Sequence, residues 1–121
     1  MSSLSNQLTT EIIHELYRSG AFAWRASSTG IYDKTIGTYR TAPKKGVSDI
    51  LACFKGHLIA IEVKIGKDRL SPEQTGFLAN VMRAGGEAAV VKTFDEFKVW
   101  WGKILSTVTA WQIKLIGYTK G

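Results

Sequence analysis

Residues 46–66 read GVSDILACFKGHLIAIEVKIG, and the rest of the chain is best understood outward from them. Two apolar runs, residues 47–54 and 58–65, flank the turn Lys55-Gly56-His57. That is the pattern of two neighbouring strands joined by a tight reversal. Alternate residues of a strand share a face. Ile59, Ile61, Val63 and Ile65 therefore line one side of the second run, and Leu58, Ala60, Glu62 and Lys64 line the other. Both sides carry apolar residues, as in a strand covered on both faces, so two charges at its end need partners or a metal. Asp49 is the only charge in the first run, near its start, and the reversal carries Glu62 and Lys64 back toward it. Two acids and a lysine in this order suit metal-dependent cleavage of a phosphodiester: the acids hold a divalent cation, and the lysine stands near the scissile phosphate or the attacking water. The plainer readings are a solvated cross-strand ion pair for Glu62 and Lys64, and a turn aspartate beside Gly46 and Ser48. Pairing across two strands favours the chemical reading.

Upstream, residues 4–19 have the spacing of an amphipathic helix, with Leu8, Ile12, Leu16 and Tyr17 recurring and Gly20 as its stop. Residues 21–27 alternate as a first strand through Phe22 and Trp24. Residues 28–46 are rich in Gly, Ser, Thr, Lys and Tyr and read as an extended loop or a hairpin built on Ile36 and Tyr39. A connection of this length is usually functional when ordered. Downstream, Ser71-Pro72-Glu73-Gln74 is a helix start, with serine at the N-cap, proline at the first turn and glutamine placed for a capping box. That helix runs to about Ala84, where Gly85-Gly86 ends it. Residues 87–92 read as a short buried strand. Thr93-Phe94-Asp95-Glu96 is a second capping box, opening a helix with Phe97, Trp100, Trp101 and Ile104 near one face. In the last fifteen residues Trp111, Ile113 and Leu115 alternate as in a strand, but no cap or turn decides the matter. The order α-β-β-β-α-β-α describes an α/β sandwich with a central sheet flanked by helices.

The chain's 121 residues suit one domain. No apolar stretch reaches the ~20 residues that cross a membrane, and the N-terminus lacks a basic leader followed by an apolar block. Cys53 is the sole cysteine, so no internal disulfide forms; it is expected to pack as a small hydrophobe. These features suit an intracellular protein. The net charge of +6 and pI near 9.6 fit a polyanionic partner. Arg25, Arg40, Lys44, Lys45, Lys67 and Arg69 flank the acids in sequence, as cations that position a phosphate backbone would. Gln74 serves a capping box, or, on the stripe with Phe77, Leu78 and Val81, contacts a phosphate or a metal-bound water. Glu11 is the preferred third acid, with Glu15 the alternative one turn on. His14 and His57 lack metal-ligand spacing, and the tryptophans read as core or interface residues rather than base-stacking platforms.

The ordered set Gly46-Val47-Ser48-Asp49, Ala60-Ile61-Glu62-Val63-Lys64, Leu70-Ser71-Pro72-Glu73-Gln74 and Ala84-Gly85-Gly86, with Trp24-Arg25 before it, resembles the virus-type replication-repair nuclease (VRR-NUC) domain of the PD-(D/E)xK nuclease superfamily. The resemblance covers roughly residues 8–92; Ser48 stands where the superfamily name has proline. It implies a restriction-endonuclease-like fold and a nuclease dependent on Mg²⁺ or Mn²⁺. Asp49, Glu62 and the backbone carbonyl of Val63 would ligate the metal, Lys64 would orient or activate the water, and Gln74 and Glu11 would complete the site. Stand-alone members of this size, typical of phages and bacteria, resemble dimeric Holliday-junction resolvases. The expectation is a homodimeric, structure-specific endonuclease acting on four-way DNA junctions in the cytoplasm of a bacterial or phage-infected cell. A nicking, flap or restriction-type nuclease and a non-catalytic DNA-binding module are the alternatives.

Overall fold

Ile50, Ile59 and Ile61 are wholly withdrawn from solvent at the centre of a mixed sheet, as the alternation of residues 46–66 requires. The computed structural model describes residues 3–26, 31–33, 37–40 and 45–120, with side chains described for 4–26, 37 and 45–107. Its elements are α1 (Ser3–Arg18), β1 (Phe22–Arg25), β2 (Ile31–Asp33), β3 (Thr38–Arg40), β4 (Ile50–Phe54), β5 (His57–Val63), α2 (Pro72–Arg83), β6 (Glu87–Val91) and α3 (Phe94–Lys120). The main sheet has the order β1-β4-β5-β6, with β1, β4 and β5 antiparallel and β6 parallel to β5. Its strands and the three helices follow the expected order. β2 and β3 form a separate antiparallel hairpin in which Tyr39 faces Tyr32; Ile36, the other expected hairpin residue, lies outside the described residues.

The reversal between β4 and β5 is tighter than the three residues expected. Lys55 and Gly56 both have positive φ, 52° and 83°, and His57 already pairs with Phe54 in β5. Two central residues with φ > 0 match the right-handed twist of the flanking strands.

One face of the sheet is closed by α1 and α3. Leu8, Ile12 and Leu16 meet Ile50, Ala52, Ile59, Ile61 and Val63, and Phe97, Trp101 and Ile104 complete the same core. Each fully buried aliphatic side chain there contributes about 1.5–3 kcal/mol. The Trp101 indole N–H donates to Ser19 Oγ at 2.9 Å, joining α3 to the end of α1. On the other face Leu78 and Val81 of α2 pack on Ala60. α2 lies over β5 and β6, with Leu51 of β4 at the margin of its cluster; among the described residues no helix covers the β1–β4 side of that face.

Two expectations are corrected, those for Cys53 and for the strand at residues 87–92. Cys53 is exposed, because its strand neighbours Ala52 and Phe54 take the core side and no helix covers the other. Trp24 is exposed for the same reason, whereas Trp101 is core and Trp100 half-buried. β6 is an edge strand in which only Val91 is buried. The undecided C-terminal segment is helical: α3 carries its backbone through Trp111, Ile113 and Leu115 to Lys120. Among the described residues no helix is long and apolar enough to cross a membrane.

The loop entering β4 meets the first turn of α2 at Gly46. Its φ is 77°, and a Cβ there would overlap the Glu73 carbonyl and lie 2.8 Å from the Gln74 nitrogen. Both the left-handed backbone and the close approach require glycine. Gly46→Ala is expected to destabilise the protein by about 2–4 kcal/mol, read from urea midpoints, because the loop or the helix must move.

Candidate active site

The β4–β5 register pairs Ile50 with Ile61, so Asp49 lies opposite Glu62 where β4 begins. The Asp49 backbone N–H donates to Glu62 Oε1 at 3.0 Å, and the Val63 N–H donates to Asp49 Oδ2 at 2.8 Å. Each carboxylate is thus held by the backbone of the other's strand. The Ala26 N–H donates to the Asp49 carbonyl at 2.9 Å, tying β1 to the same corner. Ser48 is buried, and its hydroxyl donates to the Ile50 carbonyl at 2.9 Å.

Glu62 is 1% exposed, and its second oxygen, Oε2, is buried with no hydrogen-bond partner. Lys64 Nζ is 4.0 Å from that oxygen, with its side chain 16% exposed. This is charge proximity, beyond hydrogen-bond distance. Burial, then the hydrogen bond and the negative charge of Asp49, push the Glu62 carboxyl from 4.5 up to about 8; the Asp49 backbone bond and the Lys64 charge pull the other way. A buried oxygen without a hydrogen-bond donor, facing a second carboxylate, is a donor set a hard divalent cation fits, since such a cation takes oxygen ligands.

The other expected residues divide by position. Gln74 makes the capping box: its Oε1 accepts from the Ser71 N–H at 2.9 Å, and its own N–H donates to Ser71 Oγ at 3.1 Å. Through Gly46 this helix start abuts the loop that leads to Asp49. Glu11 is exposed on α1, and Glu15 pairs with Arg18 at 3.1 Å. Among the described residues no third His, Cys, Asp or Glu joins Asp49 and Glu62 in a metal-holding cluster. α1 packs on the opposite face of the sheet from the Glu62 side chain. Arg25 also faces α1: its guanidinium donates to the Asn6 carbonyl at 3.1 Å and to Thr10 Oγ1 at 2.7 Å. Lys45, Lys67 and Arg69 are exposed, the last two in the segment after Lys64. Lys44 and the Arg40 side chain lie outside the described residues. Sequence reasoning missed Lys92, whose Nζ donates to the Gly66 carbonyl at 3.4 Å. The pairing of Val63 with Val91 in parallel strands brings it to the acid end, and its place just after an apolar run was the available signal.

Residues 3–95 match the model of the VRR-NUC domain, and the chain belongs to that nuclease-domain family. Among solved structures it is similar to Hjc, a Holliday junction resolvase from the archaeal hyperthermophile Archaeoglobus fulgidus. The identity is 26% over 73% of this chain and 67% of that one, with a TM-score of 0.51. It also shares the fold of a structure described as a VRR-NUC domain, at 18% identity over 78% of this chain and 90% of that one, with a TM-score of 0.57. No curated protein matches the chain in sequence.

A carboxyl whose folded pKa lies above its unfolded value binds more protons folded than unfolded in the interval between the two. Stability therefore falls as pH rises from about 4.5 to about 8. In metal-free buffer the unfolding free energy is expected to drop by a few kcal/mol, roughly, between pH 5 and pH 8. Glu62→Gln should flatten that slope, as measured by urea denaturation at both pH values.

Proposed function

We propose that this chain is a metal-dependent, structure-specific DNA endonuclease, and that it acts as a homodimeric four-way-junction resolvase. The observation that carries the reading is the buried, partnerless Oε2 of Glu62 beside Asp49, with Lys64 Nζ 4.0 Å away. Similarity to Hjc, a Holliday junction resolvase, supports the choice of substrate.

In this reading Asp49, Glu62 and the Val63 carbonyl hold Mg²⁺ or Mn²⁺, which supplies Lewis-acid charge at the scissile phosphate and a more acidic water. The backbone bonds from Asp49 and Val63 fix both carboxylates before substrate arrives, so little reorganisation remains at the moment of reaction. Lys64 would orient or activate the attacking water. Gln74 contributes through the helix start it caps; Glu11, exposed on α1 across the sheet, stands apart from the Asp49–Glu62 pair, and mutation tests its role as the outer acid. Arg40, Lys44, Lys45, Lys67 and Arg69 hold the DNA backbone, and Arg25 acts through its hold on α1. Residues 1–121 work as one domain with one site. Two symmetric cuts need two sites, which a two-fold dimer supplies on opposed strands. The setting is the cytoplasm of a bacterial or phage-infected cell.

A labelled synthetic four-way junction is expected to be cut at paired symmetric positions with Mg²⁺ or Mn²⁺, and not with EDTA. Lys64→Ala should lower the rate by about 100-fold or more without weakening binding by as much. Linear duplex and flap controls decide the alternatives: cutting of those instead leaves a nuclease that is not a resolvase. Tight binding with no metal-dependent cutting of any substrate indicates a DNA-binding module. Glu11→Gln and Glu15→Gln, assayed side by side, decide which is the third acid. Sedimentation with junction present should give a dimer mass, and a monomer mass would remove the resolvase reading.

A further inference from the structure

The sheet face that carries Glu62 is covered by α2 on one side only. On the open side Phe22 is 63% exposed, Trp24 40% and Leu58 41%, with Cys53 among them. The register arranges this face in rows across the strands. Phe22, Cys53 and Leu58 form one row; Trp24, Leu51 and Ala60 form the next; Asp49 and Glu62 lie in the row after that. Rows on one face are about 7 Å apart and strands about 4.8 Å, so the Trp24 and Asp49 backbones are within about 10 Å. One or two nucleotides span that distance.

Trp24 packs part of its ring on the sheet and beside Phe22 but keeps 40% of its surface in solvent. Its ring lies 5.2 Å from that of Phe22, centroid to centroid, tilted by 41°. The pair forms an angled aromatic ledge facing solvent. Its size argues against a second copy of the chain as the occupant. Aromatic side chains bury about 150–250 Å² when fully covered, so this patch offers roughly 300 Å², and two would give well below the ~1,200 Å² of a stable interface. A base or two fits that area. The surroundings fit a phosphate backbone: exposed Lys45 lies on the approach to Asp49, and the chain carries +6 overall.

We propose that Trp24, braced by Phe22, is a stacking platform for an unpaired base of the DNA strand whose phosphate is held at Asp49 and Glu62. The proposal rests on the nuclease reading and adds a substrate requirement. A base inside a paired duplex keeps its π faces within the stack, whereas a strand opened at a branch point presents one. Trp24 thereby selects for DNA that is unpaired beside the cut.

Binding is measured by fluorescence anisotropy with Ca²⁺ replacing Mg²⁺, using a labelled thymidine oligonucleotide and a fully paired duplex. Trp24→Leu keeps an apolar side chain on the sheet but has no π face; Trp24→Phe keeps one. Trp24→Leu is expected to weaken single-strand binding about tenfold and duplex binding less than twofold, with Trp24→Phe within about threefold of the unaltered protein. A 2-aminopurine placed next to a branch point should be quenched by the unaltered protein and by Trp24→Phe, and not by Trp24→Leu. Equal losses on both DNAs, or unchanged binding by Trp24→Leu, overturn the platform. So does a dimer that becomes a monomer with Trp24→Leu, which would assign the face to a second copy. Cleavage with Mg²⁺ is followed separately. A protein that cuts without dependence on Trp24 loses the platform alone; one that stacks bases through Trp24 and never cuts loses the nuclease reading alone. One that binds no DNA loses both.

Discussion

A carboxylate held out of water organises this molecule. Taking an ionised carboxylate from solvent costs several kcal/mol even after the protein relaxes around it; Glu62 is nearly inaccessible, with one oxygen left without a donor, and its carboxyl is pushed up to about 8 as a result. The geometry around it is accordingly over-determined. β5 is flanked by β4 and β6, α2 covers the neighbouring Ala60, and Asp49 both receives from and donates to the β5 end. The cost is offset by the dense core on the opposite face, where Ile12, Leu16, Ile50, Ile59, Ile61, Phe97 and Trp101 are sealed. The unfavourable interaction and the favourable ones share the same strands, so neither can move without the other.

The two faces of the sheet do different work. The face under α1 and α3 is sealed, and its polar groups serve assembly: Arg25 ties β1 to α1, and Ser19 receives the indole of Trp101. The face under α2 is sealed at one side and open at the other, and the acids lie along its end row. A solvent-accessible strip therefore leads along the sheet to a carboxyl group that is itself shielded. Such an arrangement keeps the local dielectric low around Glu62 while the strip beside it stays in contact with water.

Much of this was legible before any coordinates. The paired apolar runs, the Ser71 capping box and the alternation around Glu62 depend on short-range rules, and each formed where the spacing placed it. The proximity of Asp49 to Glu62 followed from a tight reversal plus strand periodicity. Less was legible where the outcome depended on which element covers which. Cys53 lies in an apolar run yet faces solvent, because α2 reaches only β5 and β6. The segment around Trp111 has strand-like alternation, but it continues a helix already begun at Phe94, and propagation from a formed turn is easier than starting a strand with no partner. Gln74 was ambiguous because one side chain suits both cap and site; its oxygen is engaged in the cap.

The two-residue reversal at Lys55-Gly56 has a consequence for parity. Side chains in a strand alternate with a period of two, so an offset of one residue exchanges the faces of everything beyond it. Asp49 and Glu62 meet because each lies five residues from the Phe54–His57 pair that closes a hairpin whose length is pinned by two left-handed residues. A single inserted or deleted residue at that bend would turn one acid toward the sealed core and leave the other alone at the surface. The hairpin of β2 and β3 stands outside this counting, since it belongs to a different sheet. The bend at Lys55-Gly56 is thus constrained in length as well as in backbone conformation.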